Sequence, residues 1–315
     1  MRITQKITIL LLATVSLLAA CAGKPNAEQK SIATASAPVF NGDSAFQFVQ
    51  RQVDFGPRVP GTAQHTACAA FLDTTLRRFG AQVTIQNGEA TLYDGRTMRL
   101  KNIIASYNPQ ASKRLLLCAH WDTRPYADQD KNPANHRKPI LGANDGASGV
   151  GVLIEVARQL HLNEPTIGVD IVLFDLEDWG TPEFYTGPQR EDTWCLGSQY
   201  WSQQAVKSGY KAEFGILLDM VGAPNAQFYK EQISTYYASF AVEKVWNAAQ
   251  SLGFGSYFIN QSGGAVTDDH LYVNRVANIP CIDIIQYNPY GATGFGDYWH
   301  TVDDTMKNID KNTLY

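Results

Sequence analysis

The stretch that most constrains this chain is an apolar run, Val169 to Phe174, followed by Asp175, Glu177 and Asp178. The run reads as a buried strand, and three carboxylates follow within four residues of its end. In an open α/β sheet, ligand sites lie just beyond the carboxyl ends of the strands. Carboxylates crowded there repel one another and lose water, so a cation is the simplest compensation. A solvated acidic turn is the competing reading of such a run taken alone.

Other strand ends repeat the pattern. Leu115 to Ala119 is an apolar run ending at His120, with Asp122 two residues on. Gly215 to Leu218 ends at Asp219, and Asn144-Asp145-Gly146 opens an apolar helix over Ala147 to Leu160. His300 stands in Trp299-His300-Thr301 near the end of the chain. One His or Asp at an element end is ordinarily a cap or a satisfied polar group. Five such ends supplying oxygen or imidazole nitrogen are harder to read as capping. A carboxylate-plus-His set suits a divalent transition metal, zinc first, with a position open for substrate. Asp122 is placed to orient the His120 ring by a hydrogen bond.

The periodicity predicts helices over Ser44 to Val53, Ala63 to Phe79, Gly197 to Lys207 and Thr235 to Leu252. It predicts further strands at Val83 to Ile85, Asn102 to Ala105 and Ile279 to Ile285, with Asp94-Gly95 as a turn. Strands alternating with helices indicate an α/β fold: a central, mostly parallel, twisted mixed sheet between two helical layers. The aromatic- and Pro/Gly-containing stretch Trp179 to Asp192 is either a pocket wall or a surface loop. Tyr287 to Asp297 is expected to form another wall of the mouth.

Residues 1–20 have a basic start and an apolar segment, Ile7 to Ala20, short for a membrane span. Leu18-Ala19-Ala20-Cys21 resembles a bacterial lipobox, implying a signal peptide removed before a lipidated Cys21. The expectation is an exported lipoprotein on the periplasmic side, touching the membrane only through that anchor. Residues 21–43 would hold the lipidated cysteine and a tether, and residues 44–315 one catalytic domain. The net charge of −4 and the lack of a lysine run argue against nucleic acid as a partner. Cys68, Cys118, Cys195 and Cys281 show no C-x-x-C spacing.

The order His-x-Asp, Asn-Asp-Gly-Ala-Ser-Gly, acidic pair, Asp, His resembles the zinc-dependent aminopeptidase superfamily, whose fold is the zinc-exopeptidase-like one. Within it, four features are similar to animal-type glutaminyl-peptide cyclotransferases: Leu217 to Asn225, Thr267-Asp268-Asp269-His270, Trp299 to Asp304, and Asn108-Pro109 leading through Lys113-Arg114 to His120. The resemblance runs from about Ser44 to the end. It implies one zinc on Asp145, Asp178 and His300, Glu177 as general acid/base, and Asp219 with Asp268 as a proton-sharing carboxyl pair. It also implies the Trp299 backbone N–H on the substrate amide, and His120 as an unoccupied or second-metal ligand. The substrates would be peptides or proteins with N-terminal glutamine.

Three departures stand out. Asp178 replaces a glutamate of the animal members. Cys118 is one residue off their cysteine beside the active-site His, so their disulfide is not expected here. Relatives continue beyond the Asn308-Ile309-Asp310 region into a last helix, which is expected to be missing or cut short. The rival reading is a two-zinc aminopeptidase, with Asp145 bridging between His120, Asp219, Asp178 and His300, and Glu177 activating water.

Overall fold

The structure is a computed structural model and describes residues 38–315. The signal peptide and lipidated Cys21 expected from the sequence lie outside the described residues, as does almost all of the tether. Among the described residues, no helix is long and apolar enough to cross a membrane.

Helices α1 (Gly42–Val53) and α2 (Ala63–Arg78) precede a hairpin of β1 (Gln82–Thr91) and β2 (Thr97–Tyr107). Then come β3 (Arg114–His120), α3 (Ala147–Leu162), β4 (Gly168–Phe174), α4 (Leu196–Ser208) and β5 (Phe214–Asp219). A short β6 (Phe228–Lys230), α5 (Gln232–Ser251), β7 (Phe258–Ser262), α6 (Asp269–Arg275), β8 (Cys281–Ile285) and α7 (Lys311–Leu314) complete the chain. The main sheet has the order β1-β2-β4-β3-β5-β8. Its β4, β3, β5 and β8 run parallel, and the β1–β2 hairpin pairs antiparallel with β4 at one edge. The mostly parallel mixed sheet read from the sequence is therefore the sheet observed.

Side-chain parity sorts the two faces. Leu116, Cys118, Val172, Phe174 and Leu217 pack with Trp201 of α4 and Val273 of α6. Ile171 and Leu173 face Leu72 and Leu76 of α2 and Leu153 and Ile154 of α3. Ile282 and Ile284 meet Val242 and Trp246 of α5. Every residue of β4 is buried, so its run had to be nearly continuous rather than alternating. The charged exception, Asp170, accepts two bonds from Arg114 at 2.6 and 2.7 Å and others from Ser106 and Tyr210.

Close packing brings α3 against the end of β5, because a Cβ at Gly149 would overlap the Leu218 carbonyl. The four parallel strands all end on one rim: β3 at His120, β4 at Phe174, β5 at Asp219 and β8 at Ile285. Three features went unread in the sequence. They are α6, the β6–β7 pair, and a break in helical geometry at Ala238 inside α5, where φ is −140° and ψ is 41°. Helix α5 also starts earlier than its apolar spacing suggests, because Glu231 caps it from Ile233 N and Ser234 N.

Candidate metal centre

On that rim, His120 ends β3, Asp219 ends β5, Asp145 precedes α3, Asp178 follows β4, and His300 enters from the C-terminal loop. One set comprises Asp145, Asp178 and His300, another His120, Asp145 and Asp219; within each, one potential ligand atom per residue lies within 4.8 Å of the others. Asp145 belongs to both. Its Oδ1 is 3.0 Å from His120 Nε2, and its Oδ2 is 3.4 Å from His300 Nε2. His300 Nε2 is also 3.2 Å from Asp178 Oδ1, and His120 Nε2 is 3.2 Å from Asp219 Oδ1.

The motifs place these atoms by hydrogen bonding. Asn144 Oδ1 accepts from Gly222 N, and Ser148 Oγ accepts from Val221 N, tying the start of α3 to the segment after Asp219. Asp304 accepts from the amides of Asn144 and Asp145 at 2.9 and 3.0 Å. Gly146 has φ 94°, and a Cβ there would come within 2.9 Å of both His120 Cε1 and the Asp122 carbonyl, so only glycine fits. The buried Arg58 guanidinium donates to the carbonyls of Trp121, Leu141 and Gly142, locking the approach to Asp145.

Two carboxylates are placed differently from the sequence reading. Asp122 does not hydrogen-bond the His120 ring. The pair is 3.6 Å apart, and the Asp122 carboxylate instead accepts from the amides of Glu177 and Asp178. Asp175 does not join the site either; it accepts from Lys101 N and Leu176 N and pairs with His65 Nε2 at 2.9 Å. Only two of the three carboxylates after β4 therefore face the rim.

A cavity of about 300 Å³ opens over the cluster, lined by Asp145, Glu177, Trp194, Asp219, Asp268 and His300. Tyr287, Thr293 and Phe295 also line it, as expected of the segment Tyr287 to Asp297, and so does Trp299 just beyond that segment. The insertion after β4 behaves differently. Trp179 and Tyr185 pack against Leu92 and Tyr93 of the hairpin tip, and the residue that reaches the cavity is Trp194, beyond the stretch singled out. The Trp299 backbone N–H, expected on the substrate, donates to Gly296 O at 2.9 Å, closing a turn. What Trp299 presents is its ring, stacked on His300 with centroids 3.8 Å apart.

The electrostatics follow from burial and crowding. Burial raises the Glu177 carboxyl well above the usual range; His120 opposes this, while Asp268 and Asp178 add to it. Burial, then the charge of Asp219, lifts Asp268 to about 7. Burial disfavours charge on Asp145 too, but the adjacent imidazoles of His120 and His300 outweigh it and hold the carboxyl well below its ordinary value. Backbone strain gathers here as well: Leu176, Cys195, Met220 and His300 all have φ between 47° and 58°.

Buried Asp145 Oδ2, Asp178 Oδ1 and Asp178 Oδ2 receive no hydrogen bond. Two carboxylates and an imidazole around such orphaned oxygens fit a divalent cation, and a proton alone would not satisfy all three.

A profile of peptidase family M28 matches residues 102–315. The chain belongs to peptidase family M28. Within that family it is similar to the glutaminyl cyclase of Tannerella forsythia, at 56% identity and TM-score 0.86, covering 88% of this chain and 95% of that one. It is likewise similar to a Zn-dependent exopeptidase of Parabacteroides distasonis, at 55% identity and TM-score 0.87, covering 89% and 95%. A Bos taurus glutaminyl-peptide cyclotransferase-like protein is 26% identical over 284 residues, 82% of this chain and 68% of that protein.

Proposed function

We propose that this M28 protein is a zinc-dependent glutaminyl-peptide cyclotransferase, which converts N-terminal glutamine of peptides or proteins to pyroglutamate and releases ammonia. Likeness to glutaminyl cyclases from bacteria and animals supports the activity. The observation that carries the single-metal form is the position of the orphaned oxygens. Within the two ligand sets they are Asp145 Oδ2 and both oxygens of Asp178, beside His300, whereas His120 Nε2 and Asp219 Oδ1 satisfy each other.

A zinc ion held by Asp145, Asp178 and His300 would supply Lewis-acid polarisation of the substrate's side-chain amide. Glu177, on the cavity wall beside these ligands, takes a proton from the substrate's α-amino group as it attacks the amide carbon. The same carboxyl returns that proton to the departing ammonia, so the carboxyl ends the cycle as it began. Asp268, lifted to about 7 by burial and by the charge of Asp219, is partly protonated near neutral pH and in that form offers a neutral donor to the substrate. The rings of Trp299, Phe295 and Tyr287 exclude water from an aminoacyl group in the cavity. The nucleophile comes from the substrate, so no activated water is needed. Release of ammonia from a Gln-initiated peptide, abolished by a chelator, is the expected result. Ammonia release that survives complete chelation contradicts the zinc role.

The M28 exopeptidase relative keeps a two-zinc aminopeptidase as the second reading, favoured by Asp145 lying between both ligand sets. The lipobox-like Leu18 to Cys21 supports export and membrane attachment through Cys21. Cys21→Ala should move the protein from the membrane fraction to the soluble one, and an unchanged distribution speaks against the anchor.

A further inference from the structure

We infer that Cys195 is a positioning residue that fixes the Glu177 carboxyl for proton transfer. The inference rests on Glu177 being the general acid/base. The Cys195 thiol donates to Glu177 Oε1 at 3.2 Å. Among the described residues it is the only hydrogen-bond donor to that carboxylate. Without it, a side chain with three rotatable bonds would hang into the cavity unanchored.

The backbone is arranged to deliver the thiol. The long excursion after Asp178 returns to where it started: Cys195 N donates to Glu177 O at 2.9 Å, and Leu196 N to Leu176 O at 3.0 Å. Cys195 then takes a left-handed conformation, φ 58°, opposite Leu176 at φ 53°. That conformation costs free energy for a residue with a Cβ, and glycine would avoid the cost while giving up the thiol. The Cys195 carbonyl starts α4, accepting from Gln199 N and Ser198 Oγ, so the thiol is held by a 13-residue helix rather than by a loose loop. Cys195 is fully buried. Burial, then the charges of Glu177, Asp269 and Asp268, keeps it a thiol and hence a donor.

The choice of sulfur fits the task. S–H is a weak donor. It can hold one oxygen in place without stabilising the carboxylate as strongly as an amide or guanidinium would, so the base keeps its proton affinity.

The test compares zinc-loaded wild type with Cys195→Ala and Cys195→Ser, measuring kcat, KM, zinc content and melting temperature. Cys195→Ala should lower kcat about tenfold, the scale of misplacing a reacting group by a fraction of an ångström. KM should stay within about twofold, as expected when the affected interaction belongs to the transition state. Cys195→Ser restores a donor and should recover to within about threefold of wild type, with zinc content unchanged. If the Ala variant does not fold, the Ser variant alone decides: a tenfold loss with a wild-type melting temperature overturns the inference. An Ala variant with wild-type kcat overturns it, as does a Ser variant no better than Ala. Wild type that frees amino acids rather than cyclising glutamine would instead sink the functional reading. The variants are then compared on that hydrolysis, where Glu177 is also the base.

Discussion

Glu177→Gln should keep its zinc and its KM within about twofold and lose about 10²–10⁴ in kcat, the usual worth of a positioned proton shuttle. The amide matches the carboxyl in shape, so the cavity wall and the Cys195 contact persist. What disappears is the capacity to accept the α-amino proton and hand it on. The environment suits a group that must do both near neutral pH: burial, then the charges of Asp268 and Asp178, pushes the Glu177 carboxyl up, while His120 restrains the rise. Equal loss in kcat and kcat/KM would locate the effect in the transition state. Near-normal turnover by zinc-loaded Glu177→Gln would remove this residue from the mechanism.

Asp178→Ala should release the metal and with it nearly all turnover, whereas His120→Ala should retain one zinc per chain. Replacing even a supporting group around a metal costs ~10–100-fold in affinity, and a ligand costs more. Asp178 is fully buried, and both its oxygens lack a hydrogen bond. It sits 3.2 Å from His300, and Arg124, locked bidentately on Asp128, approaches within 3.6 Å and donates to its carbonyl. The short aspartate arm thus brings a carboxylate oxygen within 4.8 Å of ligand atoms of Asp145 and His300. His120 differs because its Nε2 already has Asp219 as a partner. Elemental analysis of the purified variants checks both statements. Loss of one of two zincs from His120→Ala would favour the aminopeptidase reading.

How much of this was readable in advance depended on the range of the interactions. The strands and their terminal His and Asp residues were legible because burial on both faces forces apolar runs, as in β4, and the chemistry starts where the run stops. The gathering of strand ends on one rim followed from the rule for open α/β sheets, but the set Asp145, Asp178 and His300 came only from the family resemblance, because His300 lies in a loop beyond β8. Partners chosen across long separations were not legible. Nothing near Arg58 announces that its guanidinium will hold Leu141 and Gly142, 83 and 84 residues away, nor does Asp304 advertise the amides of Asn144 and Asp145. Asp122 was assigned to the nearer imidazole, but the backbone amides after β4 claimed it. Cys195 carried no signal of its own in the sequence, since its tie to Glu177 depends on an excursion whose return point is invisible in one dimension. Helix α6 was missed because seven residues give too little periodicity, although its cap, Asp268, had been singled out for other reasons.

The central claim is that the substrate's own amine, rather than a water molecule, attacks the glutamine side chain in a metal-dependent site. The most direct measurement is the product mass when a Gln-initiated peptide is incubated with the zinc-loaded protein in heavy-oxygen water, with and without chelator. The expected product is lighter than the peptide by the mass of ammonia, free of heavy oxygen, and formed only without chelator. A product carrying heavy oxygen in a newly freed carboxyl group, with release of the first amino acid, would contradict it.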